Sequence, residues 1–235
     1  MTIKYSIIFP CFNEGSNIPI LLNKCNKIRK ENIEFIFIDN GSNDHSVKYF
    51  KNAKKKYPHF KFFRIKNNIG YGFGIHYGLK KAKGQIIGWT HSDLQADVND
   101  LINAISIIEK SKESFIFLKG KRINRPFIDS FFSMSMGLIA SVVFLKKLIE
   151  INAQPTFFSR NLFDDANDIP NDFSIDLYFY NLALIKKYKL IRFDVNFINR
   201  IYGNSSWNKG IFSKVKFILR NLFNIYLIKK NYDNN

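Results

Sequence analysis

Cysteine is nearly missing: Cys11 and Cys25 are the two in 235 residues, and their spacing builds neither a disulfide framework nor a zinc site. A reducing setting is therefore expected. Acidic residues are also few, 19 Asp and Glu against 36 Lys and Arg, for a net charge of +17. Such an excess suits phosphate-bearing partners, whether nucleotides, anionic membranes or nucleic acid, and it suits equally a solvated lysine-rich surface. Long apolar runs are lacking. The longest, Phe131 to Leu145, is interrupted by Ser133, Ser135 and Ser141 and falls short of the roughly 20 residues of a spanning helix. The start, Met1-Thr2-Ile3-Lys4, passes straight into a strand pattern without a cleavable signal. The expectation is a cytoplasmic protein, peripheral at the cytoplasmic face of the membrane, with no transmembrane helix. No internal repeat and no inter-domain linker stand out, and 46% hydrophobic residues are enough for a proper core.

What the chain does have is a recurring unit, an apolar strand that stops at a cluster of polar groups. Gln85-Ile86-Ile87-Gly88 runs into Trp89-Thr90-His91-Ser92-Asp93-Leu94-Gln95. Tyr5 to Phe9 runs into Pro10-Cys11-Phe12-Asn13-Glu14, and Phe35 to Ile38 into Asp39-Asn40-Gly41-Ser42-Asn43-Asp44. Open α/β sheets bind ligands at the carboxyl ends of their strands, so three strands deliver polar groups to one edge. Between them lie helical patterns: Ile18, Leu21, Leu22, Cys25 and Ile28, then Val47, Phe50 and Ala53 after a cap at Asp44 or Ser46. Phe60 to Ile65 reads as a further strand. Alternating strands and helices predict a mostly parallel sheet flanked by helices. Asn67-Asn68-Ile69-Gly70-Tyr71-Gly72-Phe73-Gly74 opens a helix carrying Ile75, Leu79 and Ala82. A glycine-rich loop there brings backbone N–H groups close to a phosphate, or is simply a tight turn.

Beyond the centre, Asp97 or Asn99 starts a helix with Leu101, Ala104, Ile105 and Ile108, and Phe115 to Leu118 reads as a strand leading to Lys119-Gly120-Lys121-Arg122-Ile123-Asn124-Arg125. Phe127 to Leu148 suits a buried helix or one lying in a membrane interface. Ile151 to Arg160 is dense in hydrogen-bonding groups. A helix is expected from Phe173 through Ile185, a strand over Phe193 to Ile198, and a polar loop over Asn199 to Trp207. Finally Ile211, Val215, Ile218, Leu219, Leu222 and Tyr226 make a stripe among Lys214, Lys216, Arg220, Lys229 and Lys230. That pattern fits an anionic membrane surface or packing on the domain.

Ile7 to Glu14, Ile38 to Asp44, Asn68-Ile69-Gly70-Tyr71-Gly72 and His91-Ser92-Asp93-Leu94-Gln95 together resemble the family 2 glycosyltransferases of GT-A fold. The likeness is greatest to the branch with dolichyl-phosphate mannose synthase and bacterial polyprenyl-phosphate sugar transferases. Order and spacing over residues 5 to 97 carry it. Later residues match in pieces such as Arg122, Asn152-Ala153-Gln154-Pro155, Arg160 and Arg200 to Ser205. The resemblance implies three parts of one chain: a nucleotide-sugar-binding core over 1–119, an acceptor-binding part of the same domain over 120–210, and a basic amphipathic helix and tail over 211–235.

It also implies a sugar-nucleotide donor, UDP- or GDP-linked, held by Pro10, Phe12, Asn13, Glu14, Asp39, Asn68, Gly70, Gly72, Ser92, Asp93 and Gln95. Asp39 would accept hydrogen bonds from a nucleobase N–H, or be a turn and cap residue. Asp93 matches the last carboxylate of the family's Asp-x-Asp motif, which holds Mg²⁺ or Mn²⁺ against the diphosphate. His91 stands where the first aspartate is usual and Asn40 where a second base-side aspartate is common. Imidazole is a poor ligand for Mg²⁺ and an acceptable one for Mn²⁺, so His91 reads as metal ligand, phosphate contact or structural histidine. Arg122 and Arg125 match the basic acceptor side, where guanidinium forks suit phosphates. Asn152, Gln154, Arg200 and Ser205 join them. If the acceptor is a hydroxyl it needs a general base, for which Asp176 is the candidate beside its reading as a helix-end cap; a phosphate acceptor needs none. The expected activity is inverting transfer of a sugar to a lipid-linked acceptor, a polyprenyl phosphate or a surface-glycan intermediate. Two rivals remain: a sugar-nucleotide-binding relative that lost turnover with the His91 change, and a nucleic-acid-binding protein using the positive charge. Scattered charges and the lack of a binding module speak against the second.

Overall fold

Successive side chains of a strand point to opposite faces, and β1 (Tyr5–Cys11) is buried along its whole length. Both faces of the sheet are therefore covered. Tyr5, Ile7 and Phe9 point into one apolar cluster with residues of α1 (Ile18–Lys27), α2 (Ser46–Lys56) and α4 (Asn99–Ser111). Ile8 points into the other, with residues of α3 (Tyr71–Lys81), α5 (Phe127–Phe144) and α7 (Ile175–Ile185). The computed structural model describes residues 2–124, 127–198, 200, 202, 220 and 223–230, with backbone alone for 127–133.

The remaining strands are β2 (Ile33–Asn40), β3 (Lys61–Ile65), β4 (Ile86–Trp89), β5 (Ile116–Ile123), β6 (Thr156–Ser159) and β7 (Lys189–Asn196). They form a seven-stranded sheet in the order β3-β2-β1-β4-β6-β5-β7. The β3-β2-β1-β4 half is parallel, as is β5 with β7, and β6 runs antiparallel to both of its neighbours. This is the mostly parallel, helix-flanked sheet expected.

Several boundaries differ from the sequence reading, each for a tertiary reason. β5 continues past Leu118 to Ile123, and β7 starts at Lys189 rather than Phe193, because the two pair residue for residue from Ile116↔Lys189 to Ile123↔Asn196. Hydrogen bonding to a partner strand holds these charged and glycine-containing residues extended where local pattern would not. The 119/120 boundary therefore falls inside a strand. β6 was not foreseen at all; four residues wedged between β4 and β5 carry too short a pattern to stand out. A four-residue helix, α6 (Asn161–Asp164), follows it.

Helix α3 also begins earlier than its apolar spacing suggested, at Tyr71, and so includes Gly72 and Gly74. A Cβ on Gly78 would sit 2.5 Å from the Ile8 side chain, so the helix lies almost directly on β1. Gly70, just ahead of it, has φ +148°, and a Cβ there would meet the Asn171 carbonyl oxygen at 2.2 Å. Alanine at position 70 combines a backbone penalty with a clash against main chain, a destabilisation of about 3 kcal/mol. In thermal unfolding this is expected to lower Tm by roughly 6–10 °C.

Candidate active site

In the sheet order β1 lies between β2 and β4, with Cys11 opposite Asp39 and Ile8 opposite Trp89. The three carboxyl ends are therefore neighbours, and the loops that follow them are tied together. The Asn13 N–H donates to Ser42 Oγ at 3.0 Å, the Asn43 N–H to Asn13 Oδ1 at 3.0 Å, and the Gly15 N–H to Asp44 Oδ2 at 2.9 Å. Asn13 adopts φ +55°, a left-handed conformation that asparagine tolerates better than most residues. On the other side Ser92 Oγ donates to the Pro10 carbonyl at 2.9 Å.

Asp39 is buried at the end of β2. Its Oδ1 accepts from the Ser42 N–H at 3.0 Å, and its Oδ2 lies 3.5 Å from Nε of Arg64, a half-exposed side chain on β3. One oxygen thus fills the cap role read from the sequence, and the other faces the Arg64 guanidinium. Asn40 donates to the Gly70 carbonyl at 2.8 Å, which joins the β2 end to the glycine loop. Phe12 is 41% exposed beside these groups, and Asn68 is exposed in the loop before α3.

Asp93 is buried after β4. Its Oδ1 accepts from the Gln95 N–H at 3.1 Å, and its Oδ2 accepts from Nη2 of Arg200 at 2.8 Å. Arg200 reaches this point because Ala96 bridges Phe197 antiparallel, carrying the chain beyond β7 across the end of β4. Its other contacts are Gln95 Oε1 at 3.4 Å and Glu14 Oε1 at 3.6 Å. Burial raises the Glu14 pKa, while Asn17 and Arg200 counter it. Arg200 therefore joins the β1 loop to the β4 loop.

His91 lies with Nδ1 3.5 Å from the Tyr71 hydroxyl, and the Tyr71 ring stacks on Phe173 at 4.6 Å. Burial lowers the pKa of His91 against the pull of Asp93 and Asp176, so the ring is neutral at pH 7. Gly70 and Gly72, expected at a phosphate, are both pressed against backbone of residues 170–172, and the Phe73 N–H donates to the Asn171 carbonyl at 3.0 Å. Their missing side chains allow this chain crossing, which brings the start of α7 up to the cleft.

Asp176 opens α7, 1% exposed. Its Oδ1 accepts from Nζ of Lys119 at 2.9 Å and from Nε2 of Gln154 at 2.8 Å. Lys119, with no exposed surface, also donates to Thr156 Oγ1 at 2.8 Å. Arg122 pairs with Glu150 at 2.7 Å and lies over the Phe197 ring, and Asn152 is half-buried in the turn before β6. Arg125 and Ser205 lie outside the described residues, as does most of the expected helix over 211–226; residues 223–230 are helical.

Sequence reasoning did not pick out Lys119, Thr156, Tyr71, Arg64 or Glu150. A charge placed directly after Phe115 to Leu118 was a readable signal for Lys119. Thr156 carried none, since its role depends on β6 being a strand. Among the described residues no three His, Cys, Asp or Glu side chains cluster as metal ligands.

The protein-family model for glycosyl transferase family 2 matches residues 6–158. An uncharacterized glycosyltransferase of Bacillus subtilis, YkcC, is 31% identical over 126 residues, covering 52% of this chain and 38% of that protein. The undecaprenyl-phosphate 4-deoxy-4-formamido-L-arabinose transferase of Photorhabdus laumondii is 24% identical over 61% of this chain and 44% of its own length. The dolichol-phosphate mannosyltransferase of Pyrococcus furiosus is 25% identical over 61% and 42%. The matched part thus spans less than half of these relatives. Among solved structures, glucosyl-3-phosphoglycerate synthase from Mycobacterium tuberculosis, in complex with Mn²⁺, UDP and glucosyl-3-phosphoglycerate, superposes with TM-score 0.71 at 14% identity over 96% of this chain and 79% of that one. The mannosyltransferase PcManGT from Pyrobaculum calidifontis, with GDP-mannose and Mn²⁺, gives 0.67 at 15% identity over 94% and 63%. At such identities the superpositions establish the fold, which is GT-A.

Proposed function

We propose that this chain, which belongs to glycosyl transferase family 2 and is a glycosyltransferase, moves a sugar from a UDP- or GDP-sugar to a lipid-linked acceptor by a single inverting displacement. The observation that carries the donor half is the convergence of Asp39, Glu14, Asp93 and Arg200 at the adjacent ends of β2, β1 and β4. Asp39 would offer Oδ2, which now lies beside Arg64, to a nucleobase N–H, with Asn13, Glu14 and the exposed Phe12 beside base and ribose. Arg200 is the cation for the diphosphate, and the bound donor draws it from its pairings with Asp93 and Glu14.

A divalent ion, which the Mn²⁺-bound structural neighbours support, would be held at the β4 end of the same groups. Asp93 supplies a carboxylate and His91 a neutral imidazole, a donor pair that suits Mn²⁺ better than Mg²⁺. The ion would neutralise the charge that gathers on the departing nucleoside diphosphate. Until the donor draws Arg200 away, Arg200 and the backbone turn at Gln95 together orient the Asp93 carboxylate, and the turn continues to do so afterwards.

Relatives named for undecaprenyl phosphate and dolichol phosphate support the lipid-linked acceptor. So does α5, which buries Ala140 and Phe144 but exposes Met134, Leu138 and Val142 at helical spacing, continued by Leu145, with Lys146 and Lys147 at its end. In residues 223–230 Ile225 and Ile228 are buried, while Phe223, Tyr226 and Leu227 are exposed near Lys229 and Lys230. Apolar surface edged by lysine suits an anionic membrane face. Among the described residues no helix is long and apolar enough to cross a membrane.

The test of the donor reading is thermal unfolding with UDP-, GDP-, CDP- and dTDP-sugars, with and without Mn²⁺. One base class is expected to raise Tm by about 5 °C at ligand concentrations near 100 times Kd, and more with the ion than without. No shift with any of them would remove the donor site from these residues.

A further inference from the structure

Resting on that reading, we infer that the nucleophile of the acceptor is a hydroxyl and that Lys119 is the positioning residue that presents one oxygen of Asp176 to it as the general base. The starting point is a cluster of four side chains, each nine-tenths or more buried: Lys119, Gln154, Thr156 and Asp176. Three of them fix one carboxylate oxygen. Lys119 Nζ and Gln154 Nε2 both donate to Asp176 Oδ1, at 2.9 and 2.8 Å, while Thr156 Oγ1 holds the ammonium in place from β6 at 2.8 Å. Only the Gln154 amide nitrogen can donate to a carboxylate, so its orientation is settled and its Oε1 points elsewhere.

Among the described residues, two oxygens in this cluster have no protein donor, Asp176 Oδ2 and Gln154 Oε1. Buried acceptors without donors are costly and uncommon, which makes a pair of them on interacting side chains informative. Both call for a donor, and a hydroxyl brings one. An ionised phosphate brings only acceptor oxygens and would be repelled from the same place. Among the described residues the nearby cations point the same way: Arg122 is paired with Glu150, Lys119 with Asp176, Arg200 with Asp93 and Glu14, and Arg192 donates to the Gly120 and Ile149 carbonyls.

Asp176 also faces the donor side. The negative charges of Asp176 and Asp93 both pull the pKa of His91 and of Tyr71 upward, so both carboxylates lie within electrostatic reach of that pair. The acceptor is placed with its hydroxyl at Asp176 Oδ2. Its O–H proton then passes to Oδ2, its oxygen forms a bond to the anomeric carbon, and the bond from that carbon to the phosphate oxygen breaks, its electron pair leaving with the nucleoside diphosphate.

Lys119 fixes Asp176 Oδ1 where neither side chain reaches the surface. Burial brings the ammonium down to about 8, against the opposing pull of Asp176 and with Arg192 on β7 and Arg122 on β5 adding to the fall. Above that pH the lysine loses the positive charge that strengthens its hold on Oδ1.

The experiment measures nucleoside diphosphate release from the donor that gives the largest thermal shift, with octyl glucoside and farnesyl phosphate as acceptor probes. Four proteins are compared: wild type, D176N, K119M and K119M/D176N. On octyl glucoside kcat is expected to fall about 10³-fold in D176N and about 10²-fold in K119M, with donor Kd unchanged in both. The wild-type decline above about pH 8 should be absent from K119M. Each single variant leaves a buried charge without its partner and lowers Tm; the double variant, which has neither charge, should regain most of the Tm but none of the activity.

A K119M protein with wild-type kcat and an unchanged alkaline limb overturns the role of Lys119. Recovery of turnover in the double variant makes the pair structural and overturns it as well. Faster turnover on farnesyl phosphate, unaffected in D176N, overturns the hydroxyl nucleophile. Full activity of D176N on octyl glucoside removes Asp176 as base, an outcome separate from failure of the donor site, which the thermal shifts report.

Discussion

Asparagine in place of Asp93 is expected to lower kcat/KM about 10³-fold, a loss of about 4 kcal/mol of transition-state stabilisation. Oδ1 is occupied by the Gln95 N–H, which organises the turn, so an asparagine with its oxygen placed there keeps the local fold. What changes is the other atom. Oδ2 now meets Arg200 at 2.8 Å, and an amide N–H₂ in that place would face a cation and could hold no metal ion. Developing charge on the leaving diphosphate would then lose the ion while Arg200 alone remained. The check is steady-state turnover at saturating Mn²⁺ alongside thermal unfolding. A large loss of activity with Tm within a few degrees of wild type is expected, and retained activity would place the diphosphate away from β4.

Much of the donor half was legible because it is local. β1, β2 and β4 each announce themselves as an apolar run ending in polar residues, and the period of two that buries Ile7 on one face and Ile8 on the other is written into the chain. The motifs at Asp39 and Asp93 sit directly at those ends. Residues 120–200 were legible only in fragments, since their structure depends on pairing between distant segments. β6 inserts between strands that precede it by tens of residues, and β5 and β7 hold each other extended. Lys119 shows the consequence. In sequence it begins a basic stretch just past an apolar strand; in the fold its register opposite Thr156 turns it inward, to a carboxylate 57 residues away. The glycines of the 70–74 loop show the converse. Their spacing suggests a phosphate loop or a tight turn, and the close approach that Gly70 and Gly72 permit is to the chain at 170–172.

Asp39→Asn is expected to weaken donor binding about 30-fold, the loss of one hydrogen bond to a charged acceptor. An asparagine keeps an oxygen for the Ser42 N–H, so the turn that links the β1 and β2 loops survives. The outward atom becomes a donor, and it then opposes the nucleobase N–H that the carboxylate oxygen would accept. Arg64 does not compensate. It is half-exposed at 3.5 Å, and its attraction to Asp39 is screened by water, so its release changes stability little. The effect should therefore fall on KM for the donor and leave kcat at saturation close to wild type, since the base lies far from the breaking bond and its binding is uniform between ground and transition states. Titration of UDP and GDP into wild type and D39N checks this. A thirty-fold rise in Kd for the preferred nucleotide with little change for the other means that Asp39 reads the base. Equal, small changes for both would mean that its work ends with the Ser42 turn.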